Sequence, residues 1–130
     1  MAQIPKHDLI VTIVKKGCCE RIISASQEAG SEGATIIPAR GTGIHEKKQL
    51  LGIPIEPEKE IIFTVVREEK TERVLKAIIK AGNLEKPATG IAFVLELKEV
   101  VGIVHMVKAM GLDQDTEQNQ EQGQQKNKGG

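Results

Sequence analysis

Residues 9–39, LIVTIVKKGCCERIISASQEAGSEGATIIPA, predict a strand, a helix and a second strand in that order. The uninterrupted apolar and β-branched start is typical of a strand buried on both faces. The helix is predicted over residues 18–29 and ends at Gly30, a natural helix terminus. The second strand carries Pro38, which lacks an N–H group and belongs at the edge or end of a sheet.

The same order of elements returns after residue 60. A strand is predicted at residues 61–66, a helix at 68–81 and a strand at 91–97, with an edge strand at 100–104. Two βαβ units in succession predict an α+β fold, the ferredoxin-like βαββαβ sandwich. It has a four-stranded antiparallel sheet with two helices on one face. Because the other face of these apolar strands would meet water, the sequence also predicts a homo-oligomer.

Two segments have no helical or strand period. Residues 40–59 contain three glycines and two prolines between apolar positions, and a loop of that length in a small domain is usually functional. We expect it to dock on a partner. Residues 111–130 hold one large apolar residue, Leu112, and are expected to be a disordered polar tail after a domain spanning residues 1–110.

Composition narrows the function classes. Eighteen basic and eighteen acidic residues cancel, which gives no global attraction to nucleic acid or to an anionic membrane. No stretch is long enough for a signal peptide or a membrane span, so a cytoplasmic location is expected. Cys18 and Cys19 are adjacent and lack metal-ligand spacing, so no metal site is predicted. No nucleophile–base or paired-acid pattern suggests an enzyme.

Three motifs, in this order and spacing, resemble the PII family of nitrogen-regulatory proteins. Residues 28–36, EAGSEGATI, resemble the family's first helix end, turn and second strand. Residues 40–43, RGTG, resemble the start of its long T-loop, with Lys59 where the family has a lysine. Residues 89–94, TGIAFV, resemble the end of its B-loop and the next strand. The resemblance covers about residues 8–105.

The resemblance implies a cytoplasmic homotrimer that binds adenine nucleotides in clefts between subunits. Its T-loop would regulate a membrane transporter, an enzyme or a transcription regulator by contact, as in nitrogen regulation, without inserting into the membrane or binding nucleic acid. The nucleotide-binding residues we expect are Arg40, Gly41, Thr42, Gly43, Lys59, Thr64, Lys86, Thr89 and Gly90. Thr64 is included because it interrupts the apolar run of its strand, and Lys86 because it can partly replace the lysine that the family has in this loop. The partner-docking residues are His45, Glu46, Lys47, Lys48, Leu50 and Leu51. For each of these, an ordinary turn, strand or solvated surface residue is the alternative interpretation.

This sequence departs from the family at positions that matter for ligand charge. The family's B-loop lysine corresponds to Ile91, and its two late arginines correspond to Gly102 and Val104. Since charge-assisted hydrogen bonds contribute roughly 1.5–3 kcal/mol each, ADP, AMP or cyclic AMP is expected in preference to ATP as the effector. The chain has no tyrosine, so nucleotidylation on tyrosine is impossible.

Two other interpretations remain open from sequence. The chain could be a trimeric ferredoxin-like binding module of the amino-acid-sensing or metal-tolerance type, without nucleotide affinity. It could also be a small ferredoxin-like enzyme. The long segment after Arg40 favours the PII-like interpretation, because a metal-tolerance trimer needs no such partner loop.

Overall fold

A computed structural model of the chain describes residues 5–43 and 48–102. His7–Leu97 forms one compact unit. The elements of this unit are β1 His7–Lys15, α1 Cys19–Glu28, β2 Thr35–Arg40, β3 Lys48–Leu50, β4 Ile53–Ile55, β5 Glu58–Arg67, a 3₁₀ turn Glu68–Lys70, α2 Thr71–Gly82 and β6 Gly90–Leu97.

The sheet has the predicted ferredoxin-like architecture. Four strands lie in the order β2-β5-β1-β6, and every neighbouring pair is antiparallel. Pro38 lies in β2, an edge strand, as its missing N–H requires. Asn83 ends α2 in the left-handed conformation at φ 52°, which confirms the predicted helix end.

Both helices pack on one face of the sheet. Alternate residues of the two central strands meet the inner stripes of α1 and α2 in one aliphatic core: Ile10, Val14, Cys19, Ile22, Ile62, Val66, Val74 and Ile78. Burying side chains of this size contributes roughly 1.5–3 kcal/mol each relative to exposure. The core therefore needs no aromatic residue, and the chain's two phenylalanines lie elsewhere.

The two halves of the fold repeat their contacts at a spacing of 52 residues. In α1 the Arg21 guanidinium donates from Nε to the Ala81 carbonyl at 2.9 Å, close to the end of α2. In α2 the corresponding Arg73 donates from Nε to the Ala29 carbonyl at 2.7 Å, at the end of α1. Each helix thus satisfies a carbonyl that the other leaves without an intrahelical partner.

The other face of the sheet is apolar, and no helix or strand among the described residues covers it. Its central row consists of isoleucines on all four strands, Ile37, Ile61, Ile13 and Ile91, paired across the register. Phe63 and Phe93 lie in the adjacent row, 36% and 42% exposed, on either side of Val11. In a single chain this face would leave a contiguous apolar surface in water.

Two predicted segments differ from the structure. Residues 40–59, expected to lack regular structure, contain the hairpin of β3 and β4, whose turn residues Leu51 and Gly52 have φ of 53° and 79°. Such positive angles at both turn positions are typical of a tight two-residue hairpin. The edge strand predicted at residues 100–104 is wrong over residues 100–102, which form no strand, and residues 103–104 lie outside the described residues.

Removal of either reciprocal arginine should destabilise the fold. We expect Arg73→Ala and Arg21→Ala each to lower the free energy of unfolding by about 1 kcal/mol, because a helix-end carbonyl loses its charged donor. Urea unfolding at one fixed protein concentration measures the change. Lys76→Ala is the matched control on α2, since its ion pair with Glu72 is exposed and contributes little. An effect no larger than that of the control would show that the arginines do not cap the helices.

Candidate functional site

A groove of about 480 Å³ lies where the long loop leaves and rejoins the sheet. Its walls come from the end of β2, the start of β5 and the turn after β1. The lining residues are Lys16, Ile36, Pro38, Ala39, Arg40, Glu58, Lys59 and Glu60. The groove therefore combines an apolar wall with three cationic and two acidic side chains.

Strand pairing fixes the position of the loop base. Arg40 lies directly opposite Glu58 in the register, and Ala39 lies opposite Lys59. One residue further on, the Gly41 N–H donates to the Pro57 carbonyl at 3.2 Å. This bond holds the two stems of the loop together, so Arg40 is presented at the rim of the groove by regular backbone.

The turn between β1 and α1 is held against β5 by backbone and side-chain contacts. The Lys16 N–H donates to the Glu58 carbonyl at 3.3 Å, and Lys16 Nζ lies 3.0 Å from Glu58 Oε2. The Gly17 N–H donates to the Glu60 carboxylate, which also accepts from the Cys19 thiol. Gly17 has φ of 96°, a conformation that side chains other than glycine rarely adopt.

These contacts shift the acidities of three groups. Hydrogen bonds from the Cys19 thiol and the Gly17 N–H lower the pKa of Glu60 below its usual value. The same carboxylate and the burial of the thiol raise the pKa of Cys19, which keeps it protonated. The Glu58 carboxylate raises the pKa of Lys16. Glu60 is thus the ionised anchor of the turn, and Cys19 serves as its hydrogen-bond donor.

The structure brings together only part of the predicted nucleotide-binding set. Arg40 and Lys59 line the groove, with Lys59 8% exposed, and Gly41 adjoins it. Thr42 and Gly43 come next as exposed loop residues. Thr64 is not brought to the groove: its side chain is 1% exposed beneath the helices, and it is not among the lining residues.

The second predicted loop, residues 83–90, is a tight turn at the other edge of the sheet. The Thr89 hydroxyl lies 2.9 Å from the Asn83 carbonyl and 2.8 Å from the Lys86 carbonyl, so it is already engaged within the turn. A side chain at Gly90 would place Cβ 2.5 Å from the Ile13 carbonyl oxygen. Lys86 lines a separate groove of about 400 Å³ along α2.

Topology separates the two loops within one subunit. Arg40 ends β2 and Gly90 begins β6, at the same end of the sheet but on opposite edges. Three strand spacings, about 14 Å, lie between these edges. A small ligand in the groove is therefore out of range of residues 83–90 of its own chain.

The predicted docking residues fall in and around the hairpin. His45, Glu46 and Lys47 lie outside the described residues. Lys48 and Leu50 bound β3, and Leu51 occupies the turn with 94% of its surface exposed. Beside it in β4, Ile53 is 66% exposed. The hairpin tip is therefore apolar and accessible.

Sequence reasoning missed Lys16, Glu58 and Glu60 in the groove. The signal was present in the fold prediction, because antiparallel pairing of the two central strands places the residues after the first strand beside the start of the third. Assigning Lys16 to the groove required that register, which periodicity alone does not supply.

The fold and groove define a class: a duplicated βαβ scaffold with a ligand-sized groove at the base of a protruding loop. The family described as nitrogen regulatory protein P-II matches residues 7–105, and the chain belongs to that family. It is therefore a PII-like signal regulator, and proteins of this family are regulators rather than enzymes.

A solved structure supports the fold independently. The chain is similar to PII of Arabidopsis thaliana, solved with bound citrate, at 24% identity and a TM-score of 0.60. The similarity covers 76% of this chain and 84% of that one. No curated protein sequence matches the chain closely enough to count as a relative.

The Glu60 anchor should be visible in the pH dependence of stability. Because its pKa is lowered from 4.5 in the folded state, its contribution is present above pH 4.5 and is lost as the pH falls through the folded pKa. Between pH 6 and about 3, the free energy of unfolding of the wild type, measured with urea, should decrease more steeply than that of Glu60→Gln. Parallel curves for the two proteins would show that Glu60 does not anchor the turn.

Proposed function

We propose that this PII-like protein is a cytoplasmic regulator that binds an adenine nucleotide between the subunits of a homotrimer. It transmits the bound state through the loop after Arg40. The observation that carries the proposal is the groove itself. Arg40 and Lys59 stand in it at the base of that loop, so an anionic ligand there contacts the segment that would meet a partner.

The charge of the groove favours a less charged nucleotide than ATP. Three cationic and two acidic residues line the groove, and the family's later cationic positions are occupied by Ile91 and Gly102. ADP, AMP or cyclic AMP places less negative charge there than a triphosphate. The apolar wall formed by Ile36 and Pro38 offers a surface for the base or ribose.

The open sheet face supports self-association. A second and third copy would cover the isoleucine row and both phenylalanines, which no element of the described unit covers. Trimer formation also supplies the missing half of the site. Residues 83–90 of a neighbouring subunit can approach the groove, whereas residues 83–90 of the same chain cannot.

The hairpin tip supports output by contact. Leu51 and Ile53 expose apolar surface at the tip of the β3–β4 hairpin, and a membrane transporter or a regulated enzyme would bind to this surface.

No helix in the described part of the chain is long and apolar enough to cross a membrane. Among the described residues, no three His, Cys, Asp or Glu side chains converge as metal ligands.

Calorimetric titration with ATP, ADP, AMP and cyclic AMP, each with and without magnesium, tests the nucleotide proposal. We expect micromolar binding of ADP, AMP or cyclic AMP. Arg40→Ala should weaken it by about tenfold or more, because a charge-assisted hydrogen bond is lost. Lys76→Ala, a cation outside the groove, should leave it unchanged. If none of the four nucleotides binds, the nucleotide-free trimeric binding module becomes the better interpretation.

Charge placed on the open face should break the oligomer. Phe93→Asp would place a carboxylate in an interface core, so we expect sedimentation equilibrium to give the mass of one subunit instead of three. Leu51→Asp adds the same charge at the exposed hairpin tip and should remain trimeric. A trimeric Phe93→Asp variant would show that subunits associate through another surface.

A further inference from the structure

Lys16 is the cation of the groove that neither the family resemblance nor the strand pattern assigned. It comes directly after β1 and lies in a turn whose backbone is tied to β5 through Glu58 and Glu60. Its side chain extends from this fixed backbone and is 68% exposed. The turn therefore sets where the ammonium group can reach, and that region is the groove.

The present partner of Lys16 is easily exchanged. The ion pair between Lys16 Nζ and Glu58 Oε2 is 3.0 Å long, but the two side chains are 68% and 63% exposed. Exposed pairs of this kind contribute little, because water and salt screen both charges. A phosphate group carries more charge than a carboxylate and offers more acceptor oxygens, so it competes well for the same ammonium group.

We infer that Lys16 binds a phosphate group of the effector and exchanges Glu58 for that phosphate when the ligand enters. This inference rests on the proposed function and adds to it a binding residue and a ligand class. The class is a nucleotide that places a single phosphate group in the groove. In the absence of ligand, the Glu58 carboxylate forms the ion pair with Lys16 Nζ that the phosphate replaces on binding.

The charge count of the groove limits the ligand. The residues that line the groove include three cationic ones, Lys16, Arg40 and Lys59, and two acidic ones, Glu58 and Glu60, which leaves one excess positive charge. Glu60 stays ionised because the turn donates hydrogen bonds to it. After the exchange, Glu58 remains near the phosphate without its partner. A phosphate monoester of charge about −2 already exceeds this charge by one, and each further phosphate adds repulsion, so a single phosphate group is favoured over a diphosphate or triphosphate.

Two probes and three variants test the exchange. The probes are AMP and inorganic phosphate, titrated at constant ionic strength and monitored by the backbone amide NMR shifts of Lys16, Gly17 and Gly41. The variants are Lys16→Gln, Glu58→Gln and the control Lys76→Gln. The control breaks an ion pair of similar length and exposure, that of Lys76 with Glu72, outside the groove. Circular dichroism and sedimentation establish that each variant is folded and assembled like the wild type.

We expect both probes to shift the groove amides of the wild type and of Lys76→Gln with equal affinity. Lys16→Gln should bind about tenfold more weakly, because it lacks the charged donor. Glu58→Gln should bind more tightly, because the competing carboxylate is gone. Weaker binding by Glu58→Gln would overturn the exchange, and unchanged binding by Lys16→Gln would overturn the role of Lys16.

The outcomes separate this inference from the proposed function. If Lys16→Gln binds AMP as tightly as the wild type does, the proposed nucleotide binding stands but Lys16 is not the residue that binds the phosphate. If inorganic phosphate binds and Lys16→Gln weakens that binding, but no nucleotide binds, Lys16 is part of an anion site. The proposal of nucleotide binding is then wrong. If neither probe shifts the groove amides, Lys16 is not an anion-binding residue and the inference is wrong.

Discussion

The antiparallel pairing of β1 with β5 is the constraint on which the rest of the structure depends. It runs without a bulge from His7 opposite Arg67 to Lys15 opposite Lys59. Since side chains alternate between faces, this single register sends Ile10 and Ile62 into the helix-covered core and Ile13 and Ile61 to the open face. A slip by one residue would exchange the two sets. The same register brings the turn after β1 to the start of β5, and so forms one wall of the groove.

The internal repeat shows where this chain has specialised. Thr71 at the start of α2 donates its hydroxyl to Asp8 at 2.7 Å, and 52 positions earlier Cys19 at the start of α1 donates its thiol to Glu60. Both contacts fix a helix start to a strand, so the Cys19 thiol has a structural role equivalent to that of a hydroxyl. The halves differ in the chain near these contacts. The Glu60 end carries the long loop, and the groove with Lys16, Arg40 and Lys59 lies there.

Local pattern was sufficient for the four strands of the main sheet and for both helices, whereas register was needed for the site. The apolar run before Lys15 and the helical stripe containing Ile22 depend on contacts between near neighbours, so periodicity predicted them. The β3–β4 hairpin was missed because Leu51 takes a positive φ without being glycine, asparagine or aspartate. Thr64 was placed at a ligand because its polarity interrupts an apolar strand. Its orientation depends on pairing with Ile10, which puts it under the helices.

Coupling between ligand and partner arises from the residues they share. A ligand can shift the loop only if it interacts differently with two arrangements of the loop base. Here the bond between Gly41 and Pro57 closes that base, and its immediate neighbours in sequence, Arg40 and Glu58, line the groove. A phosphate that withdraws Lys16 from Glu58 changes the charge beside that bond while Glu60 keeps the turn in place. The signal is thus confined to the two stems of the loop, and the rest of the sheet need not move.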